Sequence, residues 1–316
     1  MKKMLGAMVA SLTIFMAPVA FAEPITVTGE TSVKYQRDTE DGAANTSGMI
    51  YTLKLNGVAE LGAGWSLYAR LGAQYATQPA QSDFNTDAYD SGKKGVFTFD
   101  QFGLAYKTDK MTYKLGRQDA AVGTTALLYS RPESDIGNKV FVDGLSFVGT
   151  IGVMDVTGLL ARENNVGAEQ NNVYAFRAGY SPSETLNWGV TLGRYRYSDG
   201  RSTNHWAVDS TYKFGKSSLT AEYTQSNSNN DNRAYAATWN YDFNGKTGAY
   251  VTAFQVEPNG DMGGQSDFDN GYRGLKYGMT HQIRENTSME VAYKAQKRID
   301  NGLRNTTLEA TLSYTF

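Results

Sequence analysis

The sequence predicts an all-β fold, a transmembrane antiparallel β-barrel of sixteen strands, with fourteen or eighteen as the neighbouring counts. Three observations predict it. Apolar and polar residues alternate with period two along the chain, which is the signature of a strand and not of a helix. Short turns alternate with long polar loops, the layout of a barrel that crosses a membrane. No long apolar run follows residue 22, so a spanning structure must be built from strands, because lipid admits only helices and closed barrels.

The chain opens MKKMLGAMVASLTIFMAPVAFA, with Lys2 and Lys3 before an apolar run and Ala20, Phe21 and Ala22 at its end. A charged start followed by a small-x-small site reads as a secretory signal peptide over residues 1–22, leaving 23–316 for the barrel. The run is short for a spanning helix and contains Pro18. Without Lys2 and Lys3, 28 of the 30 basic residues remain against 32 acidic ones, a balance that implies no nucleic-acid partner. The chain has no cysteine, which excludes disulfides, thiol chemistry and cysteine-ligated metals. Mean hydropathy is −0.46, as expected when lipid-facing and lumen-facing residues alternate.

The strands are read in chain order. The first sets Ile25, Val27, Gly29, Thr31, Val33 and Tyr35 against Thr26, Thr28, Glu30, Ser32, Lys34 and Gln36. In the second, Met49, Tyr51, Leu53, Leu55, Ala59 and Leu61 oppose Thr52, Lys54, Asn56 and Glu60, with Val58 the apolar exception on the polar face. The third has Trp65, Leu67, Ala69, Leu71 and Tyr75 against Ser66, Tyr68, Arg70 and Gln74. The remaining strands are expected over 95–107, 111–117, 140–148, 153–163, 172–180, 186–197, 203–214, 218–225, 232–241, 247–256, 269–281, 287–299 and 303–316. Alternation is weakest in the sixth, seventh and thirteenth. It is cleanest in the last, where Leu308, Ala310, Leu312, Tyr314 and Phe316 share one face to the final residue.

Short connections fall at 62–64, 108–110, 215–217 and 242–246, and long ones at 39–48, 76–94, 118–139 and 257–270. Beside the short turns lie Trp65, Tyr106, Tyr113, Tyr180, Tyr212, Phe214, Trp239, Tyr241, Tyr314 and Phe316, a set suited to an aromatic girdle at one bilayer rim. Sixteen strands enclose a lumen wide enough for water, whereas eight would be filled by side chains. Parity points Lys34, Lys54 and Arg70 into that lumen.

Two segments carry a resemblance. The stretch FGLAYKTDKMTYKLGRQD, from Phe102 to Asp119, places Leu115, Gly116, Arg117 and Gln118 at a strand end just before a long loop, and the chain closes LSYTF. In these segments and in the layout of its whole mature part, the chain resembles the general Gram-negative porins. That resemblance implies a homotrimeric outer-membrane channel for passive diffusion of small hydrophilic solutes and ions. It also implies contact with outer-membrane lipid and lipopolysaccharide, folding through the barrel-assembly machinery with Phe316 as assembly signal, and no cofactor.

In the family the third loop folds into the barrel, its acids facing basic residues on the wall. Ala126, Leu127, Leu128 and Tyr129 support this independently, since an apolar patch in a loop calls for a wall to pack on; a trimer contact is the alternative. By the resemblance, Arg117 and Arg131 are candidate constriction bases and Asp119, Glu133 and Asp135 candidate acids. Enterobacterial members follow Pro-Glu with Phe-Gly-Gly; here Pro132 and Glu133 precede Ser134, Asp135 and Ile136, so which acid reaches the pore stays open. Arg117 shares parity with Met111, Tyr113 and Leu115, and needs a bulge or strand end near Gly116 to turn inward. Neutralising Arg70 and Arg117 would then shift the channel toward cations.

The rivals are a sugar- or anion-selective channel, with Tyr68 as a lumen aromatic, a structural or adhesive barrel, and a barrel enzyme. Catalysis would need a positioned nucleophile and base, and His205 and His281 sit in no such motif. The loops SNSNNDN and NGDMGGQSDFDNG read as solvated tips, with divalent cations or lipopolysaccharide as the alternative ligands.

Overall fold

A computed structural model describes residues 25–82, 93–137, 139–165 and 169–316, so the signal segment lies outside the described residues. The barrel strands in chain order are β1 (Thr26–Glu40), β2 (Thr46–Gly62), β3 (Trp65–Ala76), β4 (Gly95–Lys107) and β5 (Met111–Gln118). Two short strands follow inside the third long loop, β6 (Ala120–Val122) and β7 (Tyr129–Arg131). The barrel resumes with β8 (Val142–Ile151), β9 (Met154–Glu163), β10 (Asn172–Ser183), β11 (Leu186–Arg196), β12 (Ser202–Phe214) and β13 (Ser217–Ser226). It ends with β14 (Arg233–Asp242), β15 (Thr247–Val256), β16 (Tyr272–Arg284), β17 (Thr287–Arg298) and β18 (Arg304–Thr315).

Sixteen of these strands form one closed antiparallel barrel, each bonded to its neighbour in sequence, with β8 beside β5 and β1 beside β18. The spans read from periodicity agree with the observed strands to within a few residues. β6 and β7 pair only with each other, within the 118–139 segment that periodicity reads as a loop. Among the described residues no helix is long and apolar enough to cross a membrane.

Closure satisfies the backbone amides that an open edge would strand in lipid. The seam is the β1–β18 ladder, which pairs Lys34 with Thr311 and Gln36 with Glu309. Phe316 extends it by exchanging two backbone hydrogen bonds with Gly29, at 2.8 and 2.9 Å. Its ring lies over Gly29, where a Cβ would overlap it. The outward positions are apolar and exposed, among them Val33, Leu67, Phe99, Leu192, Leu275 and Leu312. At the short-turn rim the expected aromatics touch: Trp65 and Tyr106 lie 4.6 Å apart, Tyr106 and Tyr113 6.3 Å, and Tyr212 and Phe214 5.7 Å.

Candidate pore constriction

Of the three bases that parity turns inward, Lys34 and Lys54 are partnered along the wall itself. Lys34 lies 3.6 Å from Glu309 and Lys54 2.9 Å from Glu30. Further round, Lys276 sits over the Tyr250 ring, and the Tyr250 hydroxyl donates to Glu290 at 2.7 Å. The inner face of β16–β18, β1 and β2 is thus a mosaic of opposed charges.

Arg70 behaves differently. It is 2 % exposed and makes a bidentate pair with Asp100, Nε to Oδ1 at 2.8 Å and Nη2 to Oδ2 at 2.9 Å. Its remaining donors reach the carbonyls of Glu133 at 2.6 Å and Asp135 at 2.7 Å, and Phe141 stacks on its guanidinium. Asp100 also accepts the Gly137 N–H at 3.2 Å. The pair is possible because β4 slips register beside Arg70 and Leu71, a bulge that leaves Asp100 and Gln101 both buried on the inner side. A bidentate, fully enclosed Arg–carboxylate pair is a strong and geometrically specific anchor. Here it fixes the returning arm of the third loop, 133–137.

The outgoing arm is seated on the far wall. β6 and β7 pair Val122 with Tyr129 and Ala120 with Arg131, forming a hairpin inside the lumen. At its turn Thr124 Oγ1 donates to Asp209 at 2.6 Å, and the Thr125 N–H and hydroxyl donate to Glu222 at 2.7 and 2.8 Å. Arg177 pairs with Asp209 at 2.5 Å, balancing that carboxylate. The apolar residues of the loop then find apolar wall: Leu127 with Ala234, Ala236, Phe254 and Val256, and Leu128 with Tyr195, Ala207 and Val173. Glu163, buried at the end of β9, gathers the Tyr129 hydroxyl at 3.1 Å, the Tyr195 hydroxyl at 3.0 Å and Arg131 at 3.2 Å. Anchored on β3–β4 and along β9–β15, the loop fills that part of the lumen and leaves the charged mosaic facing the remaining space.

A second loop, 257–271, also turns inward, against the expectation of a solvated tip. Met262 and Asp261 are buried, and Met262 packs on the third loop at Leu128. Burial pushes the Asp261 carboxyl up to about 6. Asp269 pairs with Lys294 at 2.8 Å; burial opposes its charge, yet Lys294 and Gln296 hold its carboxyl below the ordinary value.

The other expected residues separate. Arg131 joins the buried Glu163 cluster. Glu133 and Asp135 offer backbone carbonyls to Arg70, while the Glu133 side chain is exposed and that of Asp135 half-buried. Asp119, half-buried, opens the loop. Arg117 stays on the outer face: parity holds through Gly116, and its guanidinium bonds Asp143 at 2.8 Å while lying over the outward Phe102 ring. The register slip falls at Asp100 on the neighbouring strand instead. His205 bonds Thr203 at 2.8 Å and His281 bonds Thr247 at 2.9 Å.

Closed barrel, inward hairpin and residual charged lumen together describe a channel. A family model described as Gram-negative porin matches residues 7–316. The chain belongs to the Gram-negative porins. As a porin it resides in the outer membrane and provides passage for small hydrophilic solutes by passive diffusion. The solved structures it is similar to include a loop-deleted form of OmpT of Vibrio cholerae, at 12 % identity and TM-score 0.61, covering 93 % of this chain and 100 % of that one. An anion-selective porin from Comamonas acidovorans shares 13 % identity at TM-score 0.61, covering 94 % and 100 %. Salmonella typhi OmpF, in complex with daunomycin, shares 12 % at TM-score 0.60, covering 92 % and 97 %. At such identities the likeness is one of fold. A search of curated proteins returns no match.

Proposed function

We propose that this porin is a general diffusion channel with a mild preference for cations, whose path runs between the third loop and the inner face of β16–β18, β1 and β2. The observation that carries it is the balance of charge along that path. The wall contributes Glu30, Asp38, Glu290 and Glu309 against Lys34, Lys54, Lys276 and Lys294, and the loops add Glu133, Asp135, Asp267 and Asp269. A surplus of carboxylates along a narrow aqueous path favours cations. The pairing of the wall bases with carboxylates opposes an anion filter. Reversal potential in a potassium chloride gradient tests this; anion preference, or blockade by one sugar at low concentration, would replace the reading with a selective channel.

The same reading includes export by cleavage after Ala22, recognition of Phe316 by the barrel-assembly machinery, contact with lipopolysaccharide, transport without catalysis, and assembly as a trimer. Support for a protein-covered outer face comes from Arg117 and Asp143, an ion pair on the outside of β5 and β8. Charge on a lipid-facing barrel surface is destabilising, most of all near the midplane. A neighbouring subunit relieves that penalty. Arg117→Leu is expected to weaken the trimer in detergent; a trimer of unchanged stability would remove this support.

A further inference from the structure

The loop 257–271 has no part in the reading above beyond its charges, yet it is built into the lumen. Its backbone bonds to the third loop at three points. The Met262 N–H donates to the Leu128 carbonyl at 2.8 Å, the Ser130 N–H to Gln265 at 2.6 Å, and the Asp267 N–H to Ala126 at 3.2 Å. Tyr129 and Ser130 therefore pair with β6 on one side, while 126–130 bonds 262–267 on the other. Gly263 and Gly264 carry φ of +69° and +73°, left-handed positions that turn the chain back on itself and drive Met262 inward. Met262 is wholly buried, its methyl reaching into the space over Gly193, while Gly263 leaves no room for a Cβ against the Tyr195 ring.

Both ends of this loop are tied to opposite parts of the wall. On one side Thr224 Oγ1 donates to the Gly260 carbonyl at 3.3 Å and the Glu257 N–H to Arg233 at 3.0 Å. On the other, Asp269 pairs with Lys294 of β17, and Phe268 lies 5.0 Å from Phe254 of β15 between them. The loop thus bridges from β13–β14 to β17.

We infer that the 257–271 loop is a second constriction element, latched to the third loop through Met262, so that the two loops together fix the width of the channel. This rests on the reading of the protein as a diffusion channel. An outer loop that merely covered the barrel mouth would bond to strand ends and to itself. This one spends backbone donors and acceptors on 126–130. Its ion pair with Lys294 lies on the charged face of the path, so its position sets the boundary of the open space on that side. The third loop, in turn, is held at 126–130 by a second loop as well as by the wall at its turn.

Single-channel recording in planar bilayers tests the inference with three variants. Replacing 260–266 by a shorter Gly-Ser linker keeps every barrel strand intact; it is expected to raise conductance about 1.5-fold or more and to admit larger sugars, since flow follows the open cross-section. Met262→Asp places a charge in the sealed apolar seat and is expected to give the same wider state with added open-channel noise. Met262→Leu keeps the volume and is expected to match the wild type. Unchanged conductance, noise and sugar exclusion in the linker variant would overturn the inference, whether or not Met262→Asp folds. A wild-type protein that forms no channel would instead overturn the diffusion reading itself, and this one with it.

Discussion

Along β9–β15 the inward positions include Leu159, Ala161, Val173, Ala207, Ala234 and Ala236, all buried. Along β16–β18, β1 and β2 they include Lys276, Glu290, Lys294, Glu309, Lys34 and Lys54. Both sets line the inside of one barrel, so position in the sheet does not separate them. What separates them is what they face. Small apolar side chains on a lumen wall gain stability when something dry covers them, and the third loop supplies Leu127, Leu128 and Tyr129. Charged side chains need water or a partner, and the mosaic has both. Where the loop-bearing wall is polar, at Glu163, Asp209 and Glu222, its carboxylates bond the loop. The composition of the inner face therefore marks the seat of the loop and the course of the water.

Breaking the anchor opposite that seat is expected to have the largest effect. Arg70→Ala leaves Asp100 buried and uncompensated, which costs about 3–5 kcal/mol. Lower thermal stability in detergent and frequent excursions to higher conductance are the expected readouts; a quiet channel of normal stability would show that the loop does not depend on Arg70. The pH dependence of the inward loops comes next. The docked Asp261 titrates at about 6 against an ordinary 3.8. Its Oδ1 accepts from Gly264 and Asn270, its Oδ2 is buried without a hydrogen bond, and Tyr197 is the titratable side chain that feels its charge. Protonation therefore favours docking: the stabilisation is complete below the ordinary value and is lost as pH rises through about 6, about 3 kcal/mol in all. Open-channel noise is expected to fall between pH 7.5 and 4.5 in the wild type and to fall less in Asp261→Asn, where Asp267, its carboxyl also raised by burial, still titrates.

Smaller changes sharpen the contrast between the walls. Ala236→Leu overfills the seat beneath Leu127 and is expected to lose about 1–3 kcal/mol and to displace the loop. Thermal unfolding and conductance should move together; a shift in neither would mean the seat is loose. Lys34→Gln and Lys294→Gln touch partly hydrated pairs worth under about 1 kcal/mol. They are expected to leave stability alone and to move the reversal potential toward cations, and a shift toward anions would contradict the charge balance proposed for the path.

The barrel was legible because period two and connection length are local signals, and each strand repeats them. The seat is partly legible: the apolar run from Ala126 to Tyr129 calls for a wall, and the alanines at inward positions of β12 and β14 mark where that wall lies. Arg70 was placed on the right face, but its partner was hidden, because Asp100 reaches it only through a bulge and a bulge breaks the parity on which such a reading depends. Arg117 shows the converse, since parity held where a bulge was expected. Arg70 holds the loop and Arg117 lies on the outer face, so neutralising them is expected to act first on loop anchoring and on the outer face. In 257–271, abundant Gly, Asn and Asp resembled a solvated tip; Met262 and Phe268 were the two residues that did not fit, and they are the ones that pack.

The chain lacks cysteine, so single cysteines introduced on either wall can be read without background. A charged, water-soluble thiol reagent applied to open channels is expected to react at Lys294→Cys and Glu309→Cys and to change the current stepwise, while Ala207→Cys and Ala236→Cys stay silent until the protein is unfolded. Rapid reaction at the two alanine positions, with silence at the charged ones, would place the water on the wall assigned to the loop and contradict the account.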